Sequence, residues 1–370
     1  ATPGGMLWQH GGDAADPPAP SASPSACASR RTAFGRTSTN SALSGLVLGS
    51  EGCLGVVTSA IVRVKPLAEA VEYQSVLFTD WESGAAWMRD VGRLPAALRP
   101  ASCRLMDCKQ LQLSRAIRGS ASGAVKSALE AAALRLRGFR LETAAAATLV
   151  FEGSRAEVDV QRRALGPLVR RAGGMWGGGS SGEAGYALTF AIAYLRDFCL
   201  DHRMLCESME TLVPWSSVGK VWPAVMAAVE QEHRALHLPG RPFLSCRMTQ
   251  LYDEGAVLYM YMAIYTAGLS PEAALRAFER TEHAARGAVL SAGGCLSHHH
   301  GVGKLRAAYL EETQSSAFTS ALRRFKASVD PNNVLGARNG AWASTLEEEA
   351  SRDKARAAQH VTSGALPNGC

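Results

Sequence analysis

Apolar and polar residues alternate along two neighbouring stretches, Leu244 to Leu251 and Ala256 to Tyr265, on either side of the turn-prone Asp253-Glu254-Gly255. A period of two around a Gly-containing break predicts an antiparallel hairpin. In its second strand Leu258, Met260, Met262 and Ile264 share one face, while Tyr259, Tyr261 and Tyr265 share the other with Ala263. Shorter β-rich runs at Glu72 to Phe78 and Ala147 to Phe151 predict further strands, as does Ala60 to Val64 ahead of Lys65-Pro66. Helical spacing marks Trp81 to Leu94 and Arg155 to Ala172. It also marks Ser217 to Leu238, through Val218, Val221, Trp222, Val225 and Val229. A fourth helix is bounded by its own punctuation: Ser270 as N-cap, Pro271 in the first turn, apolar Leu275, Phe278, Ala285 and Val289, and a stop at Gly293. The glycine-rich run Gly173 to Gly185 reads as a flexible connection. Strands and helices in this order predict an α+β fold with an antiparallel sheet flanked by helices.

Composition narrows the class. With 370 residues and 47% hydrophobic content the chain can bury a large core. Its net charge of +6 comes from 39 basic and 33 acidic residues without a dense basic block, which speaks against nucleic acid and is compatible with an acidic or phosphorylated small molecule. Nine cysteines, odd in number and forming no CxxC pair, predict reduced thiols. No apolar run approaches the roughly 20 residues needed to span a bilayer, so any membrane contact is expected to be peripheral. Residues 11 to 35, rich in Pro, Ala and Ser, offer little to bury and are expected to form a disordered insertion. The opening Ala1-Thr2-Pro3-Gly4-Gly5 reads as the interior of a domain, and the chain is expected to be a fragment.

The densest candidate chemistry is Ser297-His298-His299-His300-Gly301-Val302-Gly303, followed by Lys304, where three imidazoles lie between flexible backbone positions. A second motif lies far upstream, Leu48-Gly49-Ser50-Glu51-Gly52-Cys53-Leu54-Gly55-Val56-Val57-Thr58. The tyrosine face presents phenols, although periodicity alone fits an amphipathic edge equally well. Arg196 in Tyr194-Leu195-Arg196-Asp197 is either an anion clamp or half of a local ion pair. His233 and His237 are four apart on a helix without the Glu of a zinc protease motif, which predicts a solvent-facing helix end. His298 to His300 are not expected to hold a metal, because consecutive residues rarely aim three side chains at one ion.

Together the two motifs resemble the flavoproteins of the vanillyl-alcohol oxidase type, and within them the alkylglycerone-phosphate synthases of ether-lipid synthesis. The resemblance covers about residues 43 to 340. It includes Arg104-Leu105-Met106-Asp107, Ala193 to Asp197, Cys246-Arg247-Met248-Thr249-Gln250, Tyr259, the triple histidine and Asp330-Pro331-Asn332-Asn333. It implies the C-terminal part of an FAD-binding domain at 1–66, a substrate or cap domain at 67–295, a segment returning to the flavin at 296–340 and a polar tail at 341–370. It implies FAD as cofactor, contacted by Ser50, Glu51, Gly52, Cys53, Leu54, Gly55, Val56 and Val57. It implies Tyr259 as acid/base, His298, His299 and His300 near the substrate, Arg196 on the substrate phosphate, and Arg104 as a further arginine needed for activity.

The implied reaction exchanges the acyl group of an acyl-dihydroxyacetone phosphate for a long-chain fatty alcohol, through a covalent flavin N5 adduct and with no net redox change. A homodimer and peroxisomal residence are further implications; Asn368-Gly369-Cys370 is not a peroxisomal address. The family's usual threonine is Cys53 here, and its Asn-Arg-Asn-Leu-Leu-like tail is replaced by Ala337-Arg338-Asn339-Gly340-Ala341. The competing readings are an FAD-linked oxidase or dehydrogenase of 2-hydroxy acids, which shares the upstream motif, and a non-catalytic remnant.

Overall fold

The computed structural model describes residues 44–58, 60, 62, 64–118, 135–191, 194–336 and 339–342. The insertion expected at 11–35 and the tail beyond 342 lie outside these residues. The chain forms two compact units, one of residues 64–300 and one of residues 1–63 with 301–370.

The larger unit is built on a seven-stranded antiparallel sheet. Its strands are β1 (Ala70–Phe78), β2 (Ser102–Met106), β3 (Ala145–Gly153), β4 (Met175–Trp176), β5 (Met204–Pro214), β6 (Phe243–Leu251) and β7 (Gly255–Tyr265), in the spatial order β4-β1-β3-β2-β6-β7-β5. The predicted hairpin is β6–β7, with a register irregularity between Met248 and Gln250. Alternation sorts the two faces. Leu105, Cys246, Met248, Leu258, Met260 and Met262 enter the main core with residues of α2 (Trp81–Gly92), α4 (Arg155–Arg171), α7 (Val218–Ala235) and α8 (Pro271–Ser291). The opposite face carries Arg104, Arg247, Tyr259 and Tyr261. Two further helices, α3 (Cys108–Arg118) and α5 (Gly179–Ala191), pack against the sheet, α3 through β6 and α5 through β1 and β3.

Local chemistry explains the helix ends. Ser154 and Glu157 form a reciprocal capping box at the start of α4, and Ser270 accepts from the Ala273 amide at the start of α8, ahead of Pro271. All five apolar residues predicted for α7 are buried. In α8 the buried face is Ala277, Thr281, Ala285 and Val289, joined by the buried ion pair Glu282–Arg286, while Leu275 is exposed.

Three expectations are corrected. Gly173 to Gly185 is not a flexible connection: after the short β4 it enters α5, and its glycines let the helix lie directly on the sheet. A Cβ on Gly182 would stand 2.3 Å from the Gln74 carbonyl oxygen, and one on Gly185 would stand 2.6 Å from a Thr148 methyl. Of the strand expected at Ala60 to Val64, the described residues Ala60, Val62 and Val64 are in no ladder, with Val62 and Val64 exposed, while Ile61 and Arg63 lie outside the described residues. His233 is buried rather than solvent-facing, and burial holds its imidazole below the usual range.

The smaller unit brings the upstream motif against the chain that follows the histidines. Cys53, Leu54, Val329 and Trp342 form its core, with α1 (Ser44–Val47) contributing Leu46 and α10 (Ser316–Val329) contributing Leu322 and Phe325. Asp330 pairs with buried Lys326 and accepts from the Val334 and Leu335 amides at 3.0 and 2.9 Å, which closes the Asp-Pro-Asn-Asn turn.

Candidate active site

Three chemically different groups stand side by side across the sheet. Strand pairing sets Glu210 of β5 opposite Tyr259 of β7, and Tyr259 opposite Arg247 of β6. The Arg247 guanidinium carbon lies 5.1 Å from the ring centres of both Tyr259 and Tyr261, and the group donates a short hydrogen bond to the Tyr261 hydroxyl. The Tyr259 hydroxyl is instead 3.2 Å from Ser208 Oγ. Burial pushes the Tyr261 phenol well above the usual range, although the Arg247 charge opposes it. Tyr261 is therefore held in its protonated form at neutral pH.

Glu210 organises the histidine run. Its carboxylate accepts from the backbone amides of His298 (2.8 Å), His299 (3.0 Å) and His300 (2.9 Å), and from Ser297 Oγ (2.7 Å). Burial raises its pKa, but these donors outweigh burial and leave it below the ordinary carboxylate range. The approach to the run is pinned to the same strand, with Cys295 N donating to Leu212 O at 3.0 Å and Thr211 Oγ1 to Cys295 O at 2.7 Å. The imidazoles are thus carried on a fixed turn. The His300 ring meets Tyr259 edge-on at 5.0 Å, His299 lies 6.0 Å from it, and His298 Nε2 is 2.9 Å from the Tyr252 hydroxyl. Potential ligand atoms of Glu210, His298 and His299 do lie within 4.8 Å of one another. Four donors converge on Glu210 Oε1, and the His298 amide also reaches Oε2, so Glu210 holds the turn in place.

A cavity of about 530 Å³ opens beside this row, lined among others by Arg99, Arg104, Tyr186, Arg247, Tyr259 and His299. Arg104 stacks over Tyr186 at 4.7 Å. Burial lowers its pKa, Tyr186 opposes the shift and the nearby Arg247 charge deepens it. Of the residues expected from sequence, Tyr259, His299 and Arg104 line this one cavity, with His300 against Tyr259. Arg196 does not line it: it is exposed on α6 (Leu195–Asp201), where its charge acts on the Cys206 thiol. Sequence reasoning assigned no role to Arg247 or Glu210. The available signal was a charged residue at the centre of an otherwise apolar strand.

In the smaller unit, Glu51 accepts from the Gly303 amide at 2.7 Å and from the Val302 amide, while Cys53 is buried with its Sγ 3.4 Å from Gly336 O. Gly52, Val56 and Val57 are exposed, and Gly52 has a positive φ with open space where a side chain would stand. A stretch of open backbone flanked by apolar side chains suits a flat aromatic cofactor such as a flavin.

The sequence profile described as "FAD linked oxidases, C-terminal domain" matches residues 67–339. Similar proteins include an alkyldihydroxyacetonephosphate synthase of Caenorhabditis elegans, 36% identical over 299 residues, which make up 80% of this chain and 49% of the relative. Another is the alkyldihydroxyacetonephosphate synthase of Dictyostelium discoideum, 24% identical over 83% of this chain and 49% of the relative. The chain therefore spans about half the length of these curated relatives. Among solved structures, an alkyldihydroxyacetonephosphate synthase superposes with a TM-score of 0.62 at 20% identity, covering 79% of this chain and 49% of that one. A 4-ethylphenol oxidase from Gulosibacter chungangensis gives 0.53 at 11% identity, covering 76% and 56%. These two likenesses bear on fold alone.

Proposed function

This chain belongs to the FAD-linked oxidases through their C-terminal domain, and from that premise we propose that it is the substrate-handling half of an alkylglycerone-phosphate synthase. The proposed reaction breaks the bond between the substrate carbon and the departing carboxylate oxygen of an acyl-dihydroxyacetone phosphate. It forms a bond from that carbon to the oxygen of a long-chain alcohol, releasing a fatty acid with no net transfer of electrons. The observation that carries the proposal is the row of Glu210, Tyr259 and Arg247, of which Tyr259 and Arg247 line the cavity, in a chain 36% identical to a synthase of this kind.

In this reading the Tyr259 oxygen, in its deprotonated form, takes the proton from the substrate carbon and later returns it from the hydroxyl so formed. His299 and His300 flank it as polar partners of the substrate, on the turn that Glu210 holds. FAD would be held by the segment Ser50 to Val57, chiefly through its backbone, and when bound supplies a reversible electron acceptor. Arg196 is retained as a contact for the substrate phosphate made from α6. Peroxisomal residence, a homodimer and peripheral membrane contact belong to the proposal by resemblance. Among the described residues no helix is long and apolar enough to cross a membrane.

The test is turnover by the full-length natural protein with acyl-dihydroxyacetone phosphate and hexadecanol. Equimolar alkyl ether and fatty acid, with no lasting reduction of the flavin, are expected. Bleaching of the flavin by a 2-hydroxy acid, without ether formation, would replace this reading with that of an oxidase.

A further inference from the structure

Three arginines gather at the cavity. Arg99, Arg104 and Arg247 all line it, and its lining contains no Asp or Glu. Arg99 is compensated, since it pairs with Asp253. Arg247 is not: it is only 6% exposed, its guanidinium lies against the rings of Tyr259 and Tyr261, and among the described residues its buried Nε has no hydrogen-bond partner. Among the described residues no carboxylate stands within ion-pair distance of it. A buried, unneutralised guanidinium is strongly unfavourable in an apolar setting, and Arg104 beside it adds like charge.

Alternation explains how the two arginines come together. Arg104 on β2 and Arg247 on β6 occupy neighbouring strands on the same sheet face, where Met106 pairs with Arg247. The planar fork of each guanidinium suits two oxygens of one anion, which a lysine would meet as a point charge only.

We infer that Arg104 and Arg247 form an oxyanion subsite inside the cavity, taking a phosphate monoester or a carboxylate of the ligand, with Arg247 as its deeper anchor. The subsite is additional to the exposed Arg196, and it rests on the proposed function only for which of the two anions arrives. Its position beside Tyr259 would place that anion next to the proton-transfer hydroxyl.

The test measures equilibrium binding rather than turnover, by titration calorimetry on the full-length natural protein. Dihydroxyacetone phosphate and octanoate serve as separate probes. Arg247→Met is expected to weaken at least one probe tenfold or more, Arg104→Met to weaken the same probe, and Arg99→Met to change neither beyond twofold. Weakening of the phosphate probe alone assigns the subsite to the phosphate, and weakening of octanoate alone assigns it to the carboxylate. Should Arg247→Met fail to fold, Arg247→Lys keeps the charge without the fork and is expected to bind the affected probe at least threefold more weakly. Parental affinity for both probes in a folded Arg247 variant overturns the inference, even if the protein makes ether lipid. Loss of probe binding in a protein that makes no ether leaves the subsite standing and removes the proposed reaction.

Discussion

Tyr259 and Tyr261 stand with ring centres 5.1 Å apart on one face of β7, but their hydroxyls are committed to different partners. Arg247 binds the Tyr261 oxygen, whereas the Tyr259 oxygen meets the Ser208 hydroxyl. Two chemically identical side chains thereby differ in their surroundings, and in the proposed reaction Tyr259 is the reactive one. Tyr259→Phe in the full-length protein is expected to lower ether formation about 100-fold or more, the scale of a positioned proton-transfer group, with the fold intact. Tyr261→Phe should fall far less. Steady-state kinetics with both variants, checked by circular dichroism, decides; equal retention of activity would make the tyrosine face purely structural.

Glu210→Gln tests the turn. The amide is the same size and its oxygen can take the Oε1 position that all four donors reach, but the negative charge behind those hydrogen bonds is lost and the His298 amide faces an NH2 in place of Oε2, at about 1–3 kcal/mol. Amide exchange at His298, His299 and His300 is expected to accelerate, while β5 and β7 remain protected. The parent also carries a pH signature. Since the native pKa of Glu210 lies below its unfolded value, its stabilisation is complete above about pH 4.3 and is lost as pH falls through the depressed native value. Glu210→Gln should remove that acid-dependent component from an unfolding series.

Much of this architecture was legible in the sequence because the pattern and the packing say the same thing. The β6–β7 hairpin and α7 follow from periodicity, and the capped start of α8 from Ser270 and Pro271. The failures have physical causes. The glycines of α5 look like freedom in one dimension but serve as thinness against a sheet, and only the third dimension reveals what they touch. Tyr259, Arg104 and the histidines were found through resemblance, since alternation alone could not tell a reactive tyrosine face from a solvated one. Arg247 and Glu210 were open to a simpler argument: charge in the middle of a buried strand demands a reason.

Gly182→Ala probes the close contact of α5. The new methyl would meet the backbone of Gln74 rather than a movable side chain, so the helix must shift away from β1. A loss of about 1–3 kcal/mol is expected in chemical denaturation, the range for overpacking. Gly219→Ala is the control, since nothing lies within 4 Å of its Cβ position. Equal stability of the two variants would contradict the packing described here.

Cys53 and Gly336 offer a matched pair in the smaller unit. Cys53→Thr keeps a donor near the Gly336 and Asn339 carbonyls and is expected to change stability by less than about 1.5 kcal/mol. Gly336→Ala is expected to be worse, because the residue has φ +55° and its Cβ would lie 2.7 Å from Cys53 Sγ. Thermal unfolding of both variants gives the order directly.

The row of Glu210, Tyr259 and Arg247 has its spacing from the backbone ladder, about 4.7–4.9 Å per strand, and not from side-chain packing. Carboxylate, phenol and guanidinium are therefore mounted on a gauge that point substitutions leave unaltered: each group can be exchanged without moving the other two. A single inserted residue does the opposite. It would turn one member of the row to the far face of the sheet and bring an apolar neighbour into its place. β6 already absorbs one extra residue, Thr249, in the irregularity two places beyond Arg247, so length can change beside the row but not within it, and new chemistry at the row itself enters by substitution.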